Sequence, residues 1–281
     1  MRKQLLVILT FFFPHYSHCL AQMAYPIVGS YKGRTAQGMA IHGSIAYLFS
    51  DGGRCRLFDL YKSKVIDEFL ISSHNPNNHV NNACFGVETG SFGQIPFLYV
   101  TECKNKFRCF VEEILPDTTQ LVQTISATQG GKMIGVLIWA VDKERNRLYA
   151  VTRTDKTLKN EGYSLNTVTC YPLPKVSDGE NIILTEKDIL EQYVLHFPSI
   201  LQGAKIRKGH MYIVTGLQQS LSHRLDSKRA IQVVDLKRKK LEKTIDLTFL
   251  TTNEPEDLDF FNGKVLLYCG QEGGLYNVKL K

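Results

Sequence analysis

One tripeptide pattern recurs five times along the chain. It reads Ala46-Tyr47-Leu48, Leu98-Tyr99-Val100, Leu148-Tyr149-Ala150, Met211-Tyr212-Ile213 and Leu267-Tyr268-Cys269. The flanks of each copy share a layout. Residues 37–60 read as an apolar strand, a turn at His42-Gly43, a second strand, a turn at Asp51-Gly52-Gly53 and a third strand. Residues 256–280 repeat this around Asn262-Gly263 and the loop 270–274. A third-strand motif also echoes itself, as Leu57-Phe58-Asp59-Leu60, Val233-Val234-Asp235-Leu236 and Asn277-Val278-Lys279-Leu280. Alternating apolar and β-branched residues, punctuated by Gly, Asp and Asn, specify antiparallel meanders.

Repeats of this period with four strands each predict an all-β chain, a five-bladed β-propeller of four-stranded antiparallel blades. The fifth unit runs out before its last strand, and residues 25–31 have the pattern to supply it. Such closure leaves no sheet edge unpaired at the join. The alternative is six blades, with residues 181–200 donating strands to the extra one. Residues 186–192 carry helical propensity inside that stretch. Residues 22–281 read as a single domain with no long linker.

Residues 1–21 read as a secretory signal peptide: basic Arg2-Lys3, an apolar run at 5–13 and a short polar end before Gln22. The chain is therefore expected to be exported, periplasmic or extracellular. Lipidation at Cys19 is the less favoured alternative, because Tyr16-Ser17-His18 is a poor lipobox. No later run is long and apolar enough for a transmembrane helix. The six remaining cysteines show no zinc spacing. Cys103 and Cys109 flank a five-residue turn between strand-like runs, which makes them a disulfide candidate.

The formal charge is +7, and the basic runs at 237–240 (Lys-Arg-Lys-Lys) and 224–229 read as solvated turns. With neither a clustered basic face nor an exposed aromatic series, nucleic acid is not an expected partner.

The segment Glu254-Pro255-Glu256-Asp257-Leu258-Asp259-Phe260, followed by Asn262-Gly263-Lys264-Val265-Leu266, is similar to the Glu-Pro-Glu-Gly-hydrophobic segment that opens blades in many secreted β-propeller repeat proteins. Asp257 stands where that pattern has glycine. The resemblance covers most of the chain after residue 21. It implies the fold and no particular activity, because propellers host hydrolases, lyases, lectins and scaffolds.

In a propeller, the connections entering the inner strand and the loops between second and third strands share the top face. The repeat alignment therefore nominates Gln37, His79, Asn81, Asn82, Gln202, Glu256 and Asp257 at the first set, with Lys132 and Glu254. It nominates Asp51, Glu102, Arg153, Asp155, Gln218, Gln219, Gln271 and Glu272 at the second. The stretch 74–82 holds two His and five Asn, groups that both donate and accept; His79 and Asn82 lie closest to the channel, and His74 is expected to be exposed. The leading expectation is a binding module that recognises a glycan or protein partner through this ring. The alternative is a carbohydrate-active hydrolase or lyase using carboxylates and His79. Five-bladed glycosidases of the arabinanase and invertase type place an acidic residue on the first inner strand, where this chain has Gln37-Gly38-Met39-Ala40. No cofactor is expected; a bridging calcium has oxygen donors here and no signature loop. Trp139 and the recurring tyrosines are expected in the packing.

Overall fold

The structure, a computed structural model, describes residues 22–26, 36–153, 164–197, 200–217, 228–247, 254–270 and 274–279. Strand β1 (Gln22–Pro26) comes first. Blade 1 is β2 (Ala36–His42), β3 (Ile45–Ser50), β4 (Arg54–Asp59) and β5 (Lys64–Leu70). Blade 2 is β6 (Val80–Thr89), β7 (Pro96–Glu102), β8 (Cys109–Ile114) and β9 (Thr119–Gln129), extended by β10 (Lys132–Met133). Blade 3 has β11 (Val136–Asp142), β12 (Arg147–Arg153), β13 (Ser164–Pro172) and, after β14 (Asn181–Leu184), β15 (Glu191–Phe197). Blade 4 is β16 (Leu201–Arg207), β17 (His210–Thr215), β18 (Ala230–Asp235) and β19 (Lys240–Asp246). Blade 5 is β20 (Pro255–Phe261), β21 (Lys264–Cys269) and β22 (Gly274–Val278).

This is a five-bladed β-propeller. The innermost strands β2, β6, β11, β16 and β20 contact one another in a closed circuit. Strand β1 pairs antiparallel with β22, from Gln22 against Asn277 to Pro26 against Gly274, and completes blade 5. The closing strand thus begins earlier than the 25–31 expected, and residues 27–35 lie outside the described ones. The six-bladed alternative is overturned. Asn181–Leu184 adds in parallel to β9 on the outside of blade 2, and Glu191–Phe197 is simply the fourth strand of blade 3. The helical propensity near residue 186 is spent on one 3-10 turn, Glu186–Asp188, capped by Thr185.

Both faces of every blade are buried, each against a different neighbour, and the five core clusters sit between successive blades. The recurring tyrosine of the second strand lies at each junction: Tyr47 between blades 1 and 2, Tyr99 between 2 and 3, Tyr149 between 3 and 4, Tyr212 between 4 and 5, Tyr268 between 5 and 1. Its neighbours on either side face the opposite junction, as the two-residue strand period requires. Trp139 is buried between blades 2 and 3, where its indole N–H donates to the Phe107 carbonyl at 3.0 Å.

Each innermost strand breaks register at its upper end, between Ala36 and Met39, Val80 and Ala83, Val136 and Ile138, Leu201 and Ala204, and Pro255 and Asp257. Such bulges turn one extra side chain out of the ladder. The extra positions are Gln37, Asn81, Leu137, Gln202 and Glu256, so the repeat delivers a ring of side chains to one mouth of the channel.

Candidate functional site

The inner edges of the five innermost strands carry backbone groups that pair with no further strand. Buried, they must find partners. Polar side chains from other blades supply them. Asp257 accepts from the Met39 N–H at 2.8 Å, and Asp259 from the Ile41 N–H at 2.7 Å, tying blade 5 to blade 1. The Asn82 amide donates to the Trp139 carbonyl at 2.7 Å, and its oxygen accepts from the Ala204 N–H at 3.0 Å. Asn81 donates to the Gln202 carbonyl at 2.6 Å.

At the centre lies Lys205, only 5% exposed. Its ammonium donates to both Asp257 oxygens at 2.8 Å and to the Asn82 oxygen at 2.9 Å. These three side chains come from blades 2, 4 and 5 and form a polar plug across the channel. Gly203 is the residue that lets the plug close, because a Cβ there would lie 2.1 Å from an Asp257 oxygen. Burial pushes the Asp257 carboxyl up to about 7, while Lys205 and the amides of Met39 and Leu258 pull it back.

Above the plug is the ring of bulge residues. Glu256 is 6% exposed. Burial first, then the charges of Glu254, Asp51 and Asp257, hold its carboxyl well above the usual range. Gln202 donates to Glu254 at 2.6 Å and to the Gly216 carbonyl at 2.9 Å. The buried Gln37 oxygen accepts no hydrogen bond among the described residues, and both amide atoms of buried Asn78 are likewise without one. His79 sits 2.6 Å from Asp51 through its Nδ1. The loop beneath them is built on Gly52, whose positive φ of 79° turns its N–H to the Asn78 carbonyl. Cys103 faces the same mouth, since the charges of Asp51 and Glu256 act on its thiol, although burial dominates in pushing it up to about 12.

The structure thus gathers Gln37, His79, Gln202, Glu256 and Asp51 at one mouth, with Glu254. Asn81, Asn82 and Asp257 lie just beneath and are spent on holding blades together. Glu102 is fully buried in a two-pronged pair with Arg108, at 2.7 and 3.1 Å, which closes the 103–108 turn. Arg153 ends β12 and lines an outer cavity of about 480 Å³ with Gln129, Thr152 and Tyr193. His74 is exposed, and Lys132 is exposed on the β10 extension. Asp155, Gln218, Gln219, Gln271, Glu272 and the leader 1–21 lie outside the described residues.

The Cys103–Cys109 disulfide is not formed, and both thiols are free. Cys109 pairs across the ladder with Thr101, and its side chain belongs to the core between blades 2 and 3. Cys103 lies beyond the end of β7 and faces the mouth instead. The solvated-turn reading of residues 224–229 also fails at Arg229, which is buried. Sequence reasoning missed Lys205. The available signal was a cation between Ala204 and Ile206, in the middle of strand β16 and not at its end. Among the described residues, the cluster with metal-ligand spacing is His210, Asp235 and Glu242 on blade 4. There His210 already pairs with Glu242 at 2.9 Å, and Asp235 caps the Lys237 and Arg238 amides.

No family model matches the chain, and no curated protein matches it. Solved structures do. Myxococcus xanthus glutaminyl cyclase is similar at 13% identity and a TM-score of 0.54, over 93% of this chain and 97% of that one. Kuenenia stuttgartiensis hydrazine synthase matches at 12% identity and a TM-score of 0.45, over 84% of this chain; the chain spans 61% of the hydrazine synthase chain. At 13% identity the likeness to the glutaminyl cyclase is one of fold, and it agrees with the propeller resemblance read from the blade-opening segment.

Proposed function

We propose that the upper mouth of the channel is a recognition site for the uncharged hydroxyl and amide groups of a glycan. One observation carries this reading: on the ring of bulge positions a buried carboxyl, Glu256, whose pKa burial raises well above the usual range, shares the mouth with the unsatisfied Gln37 oxygen of the adjacent blade. A neutral carboxyl donates as well as accepts, and a buried acceptor without a partner favours a ligand that brings a donor. Asp51 and Glu254 add acceptors and disfavour an anionic ligand at this mouth. The amides of a protein partner would answer the same ring. We infer that the protein acts outside the cytoplasm, on the strength of the 1–21 leader pattern, a basic start followed by an apolar run at 5–13.

The test is a saccharide screen with product analysis on wild type, Gln37→Leu and Glu256→Gln. Binding of an uncharged saccharide without products, weakened about tenfold by each variant through one lost hydrogen bond, is the expected result. Absence of binding, or binding as tight as wild type in either variant, refutes it.

A second reading has its own support. A carboxyl with a raised pKa, close to the charged Asp51 of an Asp51–His79 pair, has the make-up of an acid–base centre. A fold neighbour of matching length is a glutaminyl cyclase. Under this reading the mouth belongs to a hydrolase, lyase or cyclising enzyme. Released product, abolished by Glu256→Gln, would decide in its favour.

A further inference from the structure

The opposite face of the ring has a different character. The turns between first and second strands and between third and fourth strands meet there. On blade 3 the first of these carries Arg145, and β12 begins at Arg147. On blade 4 the second carries Lys237 and Lys239. These residues are about ninety positions apart in sequence, and ring adjacency brings them together around one cavity of about 320 Å³. Its single carboxylate is Glu191, 3.5 Å from Lys239. Arg145 reaches Asp142 only at 3.7 Å. Arg147 lines the cavity with Cys170, and neither it nor Lys237 forms an ion pair among the described residues.

Four cations line this concave site and only two carboxylates, Glu191 and Asp142, pair with them, which leaves a local excess of positive charge at Arg147 and Lys237. Arginine forks match the flat or tetrahedral oxygens of carboxylate and sulfate groups. The aromatic residue of the cavity, Tyr149, is buried in the junction and offers no open face for a base to stack on. We propose that this groove between blades 3 and 4 binds an anionic polysaccharide through its sulfate or carboxylate groups. The site is separate from the channel mouth and stands whether or not the mouth binds a glycan.

The test measures binding of the full chain to dextran sulfate, polygalacturonate, neutral dextran and a single-stranded oligonucleotide across a salt series. The variants are Lys237→Gln/Lys239→Gln, whose side chains are exposed, and Arg147→Gln. The control is Lys62→Gln/Lys64→Gln on blade 1, which removes the same charge from exposed positions elsewhere. Dextran sulfate or polygalacturonate should bind, and neutral dextran should not. The groove double variant should reduce the slope of log affinity against log salt by roughly one to two, as lost charge contacts do, with the control unchanged. Preference for dextran sulfate names sulfate as the recognised group, and preference for polygalacturonate names carboxylate; either supports the site. Equal losses in the groove and control variants would reduce the effect to net charge and overturn the proposal. So would tighter binding of the oligonucleotide than of either polysaccharide, or no binding at all.

Discussion

Replacing Lys205 by methionine tests the polar plug. In the wild type the ammonium spans Asp257 and Asn82 with contacts of 2.8 and 2.9 Å. Methionine keeps most of the stem and removes the charge. At pH 8 the variant must bury an Asp257 carboxylate whose remaining donors are the Met39 and Leu258 amides. Breaking one side of a buried pair costs about 3–5 kcal/mol. In a chain of this size that corresponds to a fall in Tm on the order of 10 °C. The sign of the pH dependence follows from the Asp257 pKa of about 7, raised above its unfolded value by burial. A raised acid favours the folded state when protonated, so its contribution falls as pH rises from about 4 toward 7. At pH 5 the carboxyl is neutral, and loss of Lys205 removes hydrogen bonds worth about 1 kcal/mol each. The expected result in urea unfolding is a large loss at pH 8, a small one at pH 5, and recovery of most of the pH 8 loss by Lys205→Met/Asp257→Asn. A loss independent of pH, or a double variant no more stable than the single one, would refute the reasoning.

Further outcomes follow from the same geometry. Glu256 is also a raised acid, so it weakens folding as pH climbs above about 4.5; Glu256→Gln should be more stable than wild type at pH 8, with a flatter urea midpoint against pH. Gly203→Ala should cost about 1–3 kcal/mol by urea unfolding, because its Cβ would lie 2.1 Å from an Asp257 oxygen. Alkylation followed by intact-mass measurement, without reductant, should label Cys103 first and Cys109 only after unfolding; a pair that resists alkylation in the unfolded chain would restore the disulfide.

The fold was legible because its signal is local and repeated. Strand period, turn residues and the second-strand tyrosine all report short-range structure, and five copies reinforce one another. The origin of the ring residues was legible for the same reason, since Gln37, Asn81, Gln202 and Glu256 occupy one repeat position. Their roles were not. Asn81 and Asn82 look the same in sequence whether the amide faces a ligand or the backbone of another blade. Only closure of the ring shows that Asn82 meets Trp139 on blade 3 and Lys205 on blade 4. Glu102 looked like a free carboxylate because its partner, Arg108, lies across a turn that also invited a disulfide. The blade 3–4 groove escaped notice because Arg147 and Lys237 are neighbours only in space. The extra strand Asn181–Leu184 on the outside of β9 was not legible, because a short apolar run does not say which edge it joins.

The most direct test of the mouth site is a carbon-detected NMR titration of the Glu256 side-chain carboxyl, assigned by its loss in Glu256→Gln. A carboxyl that stays protonated well above the ordinary glutamate range, and whose signal moves when a bound saccharide is added, is the result expected from its burial beside Asp51 and Glu254. Titration at an ordinary value near 4.5, unmoved by any saccharide, would contradict it.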